Sequence, residues 1–326
     1  MNVTICIPTY NQEDYIEATV RSAAEQVPAP AAIIVSNDCS TDGTAAILDR
    51  LAEEIDLLRV IHQPRNLGMG ANPDACMRMA TTPYVVKLDS DDLLLPGYLA
   101  KLSAALDANP RAGYAHGQIQ EIDGDGNRRR LRVLQRGTGM VSADEALRAA
   151  LQGYRVAANI VMFRREALAA AGYVNTTMPF AEDYYLSVGI AAAGYGNVHV
   201  AEVLAAYRVW DNDANQRQRR KLVELQGLLT VFEEAIVPAY RARGWSLEPV
   251  ERRRAALAAR QADALGWSFF SAEEKDAIEA ALLRLSAAPA VRRAIRAYRS
   301  GLGPVYGLPG RLLNTGRTVV KSLLRR

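Results

Sequence analysis

Cysteine is scarce. Cys6, Cys39 and Cys76 are widely separated, odd in number, and form no CxxC pair. That excludes a disulfide framework and a zinc knuckle, and points to a reducing, cytosolic compartment. Histidine is equally sparse: His62, His116 and His199 lie far apart and read as structural or surface residues rather than ligands. No apolar run approaches the ~18–20 residues of a membrane span. The stretch 186–194 is too short and too rich in Gly and Ala. The opening MNVTICIPTYNQ lacks the basic and apolar segments of a secretory leader. Internal repeats and low-complexity tracts are absent too. Acidic residues stop at Glu279, while ten Arg and Lys residues follow from Arg284 to Arg326. The chain's net charge is +3, so residues 1–283 carry a net −7. A mildly acidic body with a basic tail points to a negatively charged surface partner.

What is present is a chain of 326 residues, 49% hydrophobic, enough to bury a sizeable core. The first hundred residues alternate strand and helix patterns. Short apolar runs at 3–7, 31–35, 57–61 and 84–88 read as strands. Between them, residues 14–26, those from about 44, and 71–80 have apolar side chains at helical spacing. A further helix opens after Pro96. Such alternation predicts βαβ units and a mainly parallel α/β sheet, whose ligands bind at the carboxyl ends of the strands. Those ends read PTYN (8–11), SND (36–38) and DSDD (89–92), and should open onto one crevice. Beyond residue 113 the pattern loosens, with strands expected at 114–122 and 158–163 and a helix at 180–193. From 214 to 300 the chain reads as helical.

The crowded acids Asp89, Asp91 and Asp92 pose a charge problem. Two like charges ~4 Å apart cost on the order of 4 kcal/mol at an effective dielectric of about 20. A helix N-cap accounts for Asp92 at most. A calcium loop is excluded, because DSDDLLLPGYLA lacks the EF-hand alternation and its central glycine. A metal-assisted nucleotide site accounts for all three acids. A divalent cation would neutralise them and bridge to a pyrophosphate.

Taken together, VTICIPTYNQEDYIEATVRSAAEQ, IIVSNDCSTDGT, NLGMGANPDACMRMATTPYVVKLDSDDLLLPG and AEDYYLSV resemble glycosyltransferase family 2, which has the GT-A fold. The resemblance covers about residues 3–210. It implies that Pro8, Thr9, Tyr10 and Asn11 line the nucleotide base and ribose. Asp38 accepts hydrogen bonds from the base, and Asp89 and Ser90 lie near the ribose or diphosphate. Asp91 is the metal ligand for Mg²⁺ or Mn²⁺, and Asp183 is the general base, with Glu182 beside it at the acceptor. On the residues alone, Asp38 also reads as an Asx-turn and Thr9 as a solvated loop hydroxyl. Glu182 and Asp183 also read as first-turn partners of a helix dipole.

The implied activity is inverting, metal-dependent sugar transfer from a nucleoside-diphosphate sugar, UDP by default. The acceptor would be a carbohydrate or a lipid-linked one in cell-surface polysaccharide, glycolipid or glycoprotein assembly. The alternative is a non-catalytic module that binds nucleotide sugars. Two departures from the family pattern keep it open: Pro73-Asp74 stand where an Arg-Asn pair is usual, and Trp210 where a His is usual. The expected organisation is a nucleotide-binding half (1–105), an acceptor-binding half (106–212), a helical region (213–300), then a Gly/Pro linker and basic tail (301–326). Residues 311–326 read either as an amphipathic helix for the inner face of an anionic membrane or as a basic helix packed on the body. Nucleic acid is not expected as a partner, since aromatics do not interleave with the basic residues.

Overall fold

The computed structural model describes residues 2–134, 137–178, 180–210 and 218–303. Its centre is a ten-stranded sheet. The strands are β1 (Val3–Thr9), β2 (Ala32–Asn37), β3 (Leu58–His62), β4 (Tyr84–Lys87), β5 (Leu93–Leu94), β6 (Ala112–Ile122), β7 (Arg128–Arg132), β8 (Gly139–Val141), β9 (Val161–Arg164) and β10 (Gly196–Arg208). Their main order is β3-β2-β1-β4-β9-β6-β10-β5, with β7 beside β6 and β8 beside β10. Strands β1 to β4 are parallel neighbours, as the alternating sequence predicts. Strand β9 runs antiparallel between β4 and β6 and joins the two halves of the sheet.

Helices α1 (Ile16–Ala24), α2 (Thr44–Glu54) and α3 (Gly68–Arg78) connect the first four strands. They are followed by α4 (Tyr98–Ala108), α5 (Ala143–Ala150), α6 (Arg165–Ala170) and α7 (Glu182–Ala192). The packing follows the pattern of the sequence. In α1, Ile16, Thr19, Val20 and Ala23 recur every three or four residues and form its buried face. They meet Ile5, Ile7, Ile33 and Val35 of the sheet. The chain leaves β1 toward β2 on one side and returns to β4 on the other. The carboxyl ends of β1 and β4 therefore flank the point where strand order reverses, the usual place for a ligand crevice.

A second core belongs to the C-terminal helices. Leu225, Phe232, Ile236, Leu257, Ile278 and Leu282 pack together and onto Leu147 of α5 and Tyr184 and Val188 of α7. Of the helical stretch expected from 214, residues 214–217 lie outside the described residues; beyond them the chain forms a helix at Lys221–Thr230 followed by a π-helical turn, Val231–Ile236. Strand β10 was not foreseen. Its thirteen residues pair with β6 through irregular register, which breaks the period-two signal that marks a strand. Among the described residues no helix is long and apolar enough to cross a membrane. The basic segment 311–326, and nearly all of the preceding linker, lie outside the described residues.

Candidate active site

The acidic turn is built by the end of β4 and stapled by the end of β10. Leu88 N–H donates to Cys6 O at 3.0 Å, and Asp92 N–H closes the turn on Asp89 O at 3.1 Å. The Thr19 hydroxyl of α1 donates to Ser90 O at 3.0 Å. Arg208 is buried and donates from Nε to Asp91 O (2.9 Å) and from Nη1 to Asp123 O (2.6 Å) and Gly124 O (2.8 Å). Its guanidinium lies over the Tyr15 ring at 4.5 Å. The Arg208 amide donates to Asp92 Oδ1 at 2.8 Å. Asp92 is therefore no helix cap: α4 opens later, from Gly97, whose φ of 84° suits glycine. Asp92 is fully buried, and its Oδ2 has no hydrogen-bond partner among the described residues. Burial, then the charges of Asp89 and Asp91, push its carboxyl well above the usual range.

Lys87 supplies a counter-charge that the sequence reading missed. It is 7% exposed, and its ammonium lies 3.0 Å from Asp89 Oδ1 and 3.6 Å from Asp183 Oδ1. Burial opposes its charge, yet Asp183 and Asp89 outweigh that and hold the ammonium above its ordinary value. A lysine within an apolar strand, two residues before an acid, is the signal that could have revealed it. Asp183 reaches Lys87 from the first turn of α7, which Ala181 enters in the left-handed conformation, φ 65°. Its side chain is 12% exposed. Burial raises the Asp183 carboxyl to about 6, with Glu182 and Asp89 adding to the rise and Lys87 opposing it. A carboxylate titrating there is charged at neutral pH and retains affinity for a proton, as a general base requires.

The fit to a divalent cation rests on the chemistry of the turn. Burial and the neighbouring Asp89 raise Asp91, so its negative charge lacks full compensation. Asp89 remains one-third exposed. Among the described residues no group of three or more His, Cys, Asp and Glu side chains forms a closed metal cage. Mg²⁺-type ions commonly take one or two carboxylates and complete their shell with phosphate oxygens and water, so Asp89 and Asp91 fit such an ion. Trp210 donates from Nε1 to Asp91 Oδ2 at 3.3 Å and meets the Tyr15 ring edge-on at 5.3 Å. The residue at the usual histidine position thus contacts the expected metal ligand directly.

The other expected nucleotide residues sit at the ends of β1 and β2. Asp38 is buried, and its two oxygens accept from the backbone N–H groups of Leu67 (2.6 Å) and Gly68 (2.9 Å). It fixes the start of α3, and each oxygen keeps a further lone pair. Asn11, at φ 51°, accepts from Thr41 N at 2.8 Å, while its own amide donates to Ser40 Oγ at 2.9 Å. It therefore locks two loops together. Thr9 Oγ1 is buried without a hydrogen-bond partner among the described residues. Pro8 lies beside Ser36 in the β1–β2 register, and Tyr10 is exposed at the rim. At the departure in α3, Asp74 accepts from Arg78 Nε (2.7 Å) and from Val174 N (3.1 Å), a structural clamp.

Glu182 and Asp183 also line a cavity of about 640 Å³ between α7, the 151–154 loop and the C-terminal helices. Two of its sides, α7 and the 151–154 loop, lie within the expected acceptor-binding half, 106–212, and the C-terminal helices supply the third. The residues facing it from the helical region were not singled out in the sequence, because only tertiary packing brings them there.

A family model described as Glycosyl transferase family 2 matches residues 4–170, slightly more than half of the chain. A putative teichuronic acid biosynthesis glycosyltransferase of Bacillus subtilis is 37% identical over 90 residues, 28% of this chain and 36% of that protein's length. An uncharacterized protein of Mycobacterium tuberculosis is 27% identical over 242 residues, 70% of this chain and 74% of its own. Among solved structures, mannosyltransferase PcManGT from Pyrobaculum calidifontis, in complex with GDP-Man and Mn²⁺, matches with a TM-score of 0.57 at 22% identity. That match covers 96% of this chain and 87% of the other. S. aureus TarS 1-349, in complex with UDP-GlcNAc, matches with a TM-score of 0.58 at 18% identity over 92% of each chain. The structural likenesses establish a shared GT-A fold, and with the family match over residues 4–170 the chain belongs to glycosyltransferase family 2.

Proposed function

We propose that this protein transfers a sugar from a nucleoside-diphosphate sugar to an acceptor hydroxyl by a single inverting displacement. One observation carries the reading: a buried ammonium, Lys87, touches both the acidic turn and the Asp183 carboxylate. The donor side and a base of suitable proton affinity are thereby set a few ångströms apart. Asp183 takes the acceptor proton as the bond from the anomeric carbon to the diphosphate breaks. The acceptor oxygen attacks the opposite face, and the configuration inverts without a covalent enzyme intermediate. Asp89 and Asp91 would hold Mg²⁺ or Mn²⁺, whose chemistry is to neutralise the departing diphosphate.

In this reading, residues 1–105 carry the donor. The base stacks near the exposed Tyr10, with Thr9, Ser90 and the free lone pairs of Asp38 as polar contacts. Structural neighbours hold UDP, UDP-GlcNAc or GDP-Man, which supports a nucleotide-sugar donor with UDP as the first choice. Relatives named for teichuronic acid and succinoglycan biosynthesis support a carbohydrate or lipid-linked acceptor in surface polysaccharide assembly. The basic residues of 311–326 supply attachment to an anionic membrane face.

Donor turnover by the purified chain with Mn²⁺ tests the reading. Asp183→Asn should lower turnover by at least about 10²-fold, and chelation should abolish it. Wild-type activity in Asp183→Asn would remove the base from its role. Nucleotide binding without turnover by the unaltered protein would favour the binding module.

A further inference from the structure

The cavity beyond Asp183 has an unusual charge balance. Arg220 at the start of the Lys221–Thr230 helix, and Arg253 and Arg260 from the Glu248–Gln261 helix, face it. None of the three forms an ion pair among the described residues. Other arginines of the same region are committed: Arg254 to Glu233 and Glu251, and Arg252 to Glu248. The acids lining the cavity do not restore the balance. Glu224 pairs with Lys221 at 2.6 Å and accepts from Gln261 at 3.1 Å, and Asp183 faces Lys87. Within the lining, Glu182 and the part of the Asp183 charge that Lys87, shared with Asp89, does not cancel are left against three guanidinium groups. Asp263, outside the lining, acts on Arg260. Converging like charges in a partly enclosed site are unfavourable until an anion joins them.

The donor's charge does not fill this role. Asp38, Asp89 and Asp91 lie outside the lining, whereas Asp183 belongs to it. The arginines therefore stand on the acceptor side of the base. We propose that the C-terminal helices form an acceptor site for an anionic saccharide, whose phosphate or carboxylate group is held by Arg220, Arg253 and Arg260 while a neighbouring hydroxyl reaches Asp183. The planar, multi-donor guanidinium suits both kinds of anion. The volume, about 640 Å³, lies within the range of sites that enclose small ligands. This assignment rests on the transferase reading for the role of Asp183, while the anion site itself is independent of turnover.

Calorimetry of the full chain without nucleotide tests it with three probes: maltotriose, a singly phosphorylated maltotriose, and trigalacturonate. The charged trisaccharides should bind at least about tenfold more tightly than the neutral one. The stronger of the two identifies the anion, and added salt should weaken both. Arg253→Gln should weaken the charged probe about tenfold, and R220Q/R253Q/R260Q should reduce it to the neutral level. Arg252→Gln, on the same helix but paired with Glu248 and outside the cavity, should leave binding intact. Circular dichroism melts confirm that the variants fold. Equal affinity for neutral and charged probes, no binding of either charged probe, or full binding by the triple variant would overturn the proposal. Parallel titrations with UDP, dTDP and GDP plus Mn²⁺ keep the two readings apart. Charged-saccharide binding with no nucleotide uptake removes the transferase but leaves the anion site, and the converse removes only the site.

Discussion

Lys87 shows how one side chain can set the chemistry of its neighbours. Its ammonium lowers the proton affinity of Asp183 against the larger effect of burial, and the balance settles at about 6. In the proposed reaction, a raised carboxyl pKa means that Asp183 is protonated, and idle as a base, below that pH. Turnover should therefore fall on the acid side with a midpoint near 6. Lys87→Met keeps the apolar stem and removes the charge. Asp183 then holds its proton more strongly, so the acid limb of kcat/KM should move about 1–2 pH units upward. A pH–rate profile of the variant measures this, and an unmoved limb would mean that Lys87 only fills space. At this scale the sequence was half legible. Asp89 and Asp91 stood out because acids crowded at a strand end are chemically conspicuous, whereas Asp183 was singled out only through the family resemblance, since paired acids opening a helix read equally as partners of its dipole. Lys87 did not stand out, since burial of a lysine depends on partners nearly a hundred residues away. Asp38 was conspicuous as well, yet its two backbone bonds to the 67–68 segment could not be read from spacing.

At the scale of elements, the placement of Asp183 depends on a helix that follows it in the chain. Gly227, within the Lys221–Thr230 helix, lies against the backbone of Phe180, three residues before Asp183. A Cβ at that position would collide with the Phe180 carbonyl, which cannot swing aside as a flexible side chain could. Gly227→Ala should cost about 1–3 kcal/mol of stability. It should also lower kcat more than donor affinity, because the displaced segment carries the proposed base, Asp183, and not the acidic turn. Chemical denaturation and steady-state kinetics together read both effects. The first four strands and their helices were legible because period-two and period-3.6 patterns alternate cleanly there. Strand β10 was not, although its last residue, Arg208, fastens the acidic turn. Bulged pairing hides such a strand from any periodicity test.

For the whole molecule, α7 joins the sheet to the helical region: its Leu186 and Ile190 pack with Val85 and Tyr114, and its Tyr184 and Val188 pack with the C-terminal helices. The sheet side presents the acidic turn, and the helical side closes the cavity that Glu182 and Asp183 share. A net −7 over residues 1–283 beside ten basic residues after them makes the chain electrically lopsided. Removing residues 304–326 should abolish cosedimentation with vesicles containing phosphatidylglycerol and leave turnover of a water-soluble acceptor unchanged. Binding by the full chain should weaken as salt rises, since each basic residue near such a surface contributes about 1 kcal/mol and is screened. Retention on vesicles by the shortened protein would locate the contact elsewhere.

The single ammonium shared by Asp89 and Asp183 carries a reciprocal obligation. Whatever cancels the charge of Asp89 leaves Lys87 to Asp183 alone and eases its proton off. By thermodynamic symmetry, losing that proton must strengthen whatever cancels Asp89. Manganese–nucleotide affinity should consequently tighten as pH climbs through about 6 and flatten in Asp183→Asn, a dependence that titration calorimetry at several pH values can follow. In the proposed reaction, loading of the donor and readiness of Asp183 are then two readings of one equilibrium.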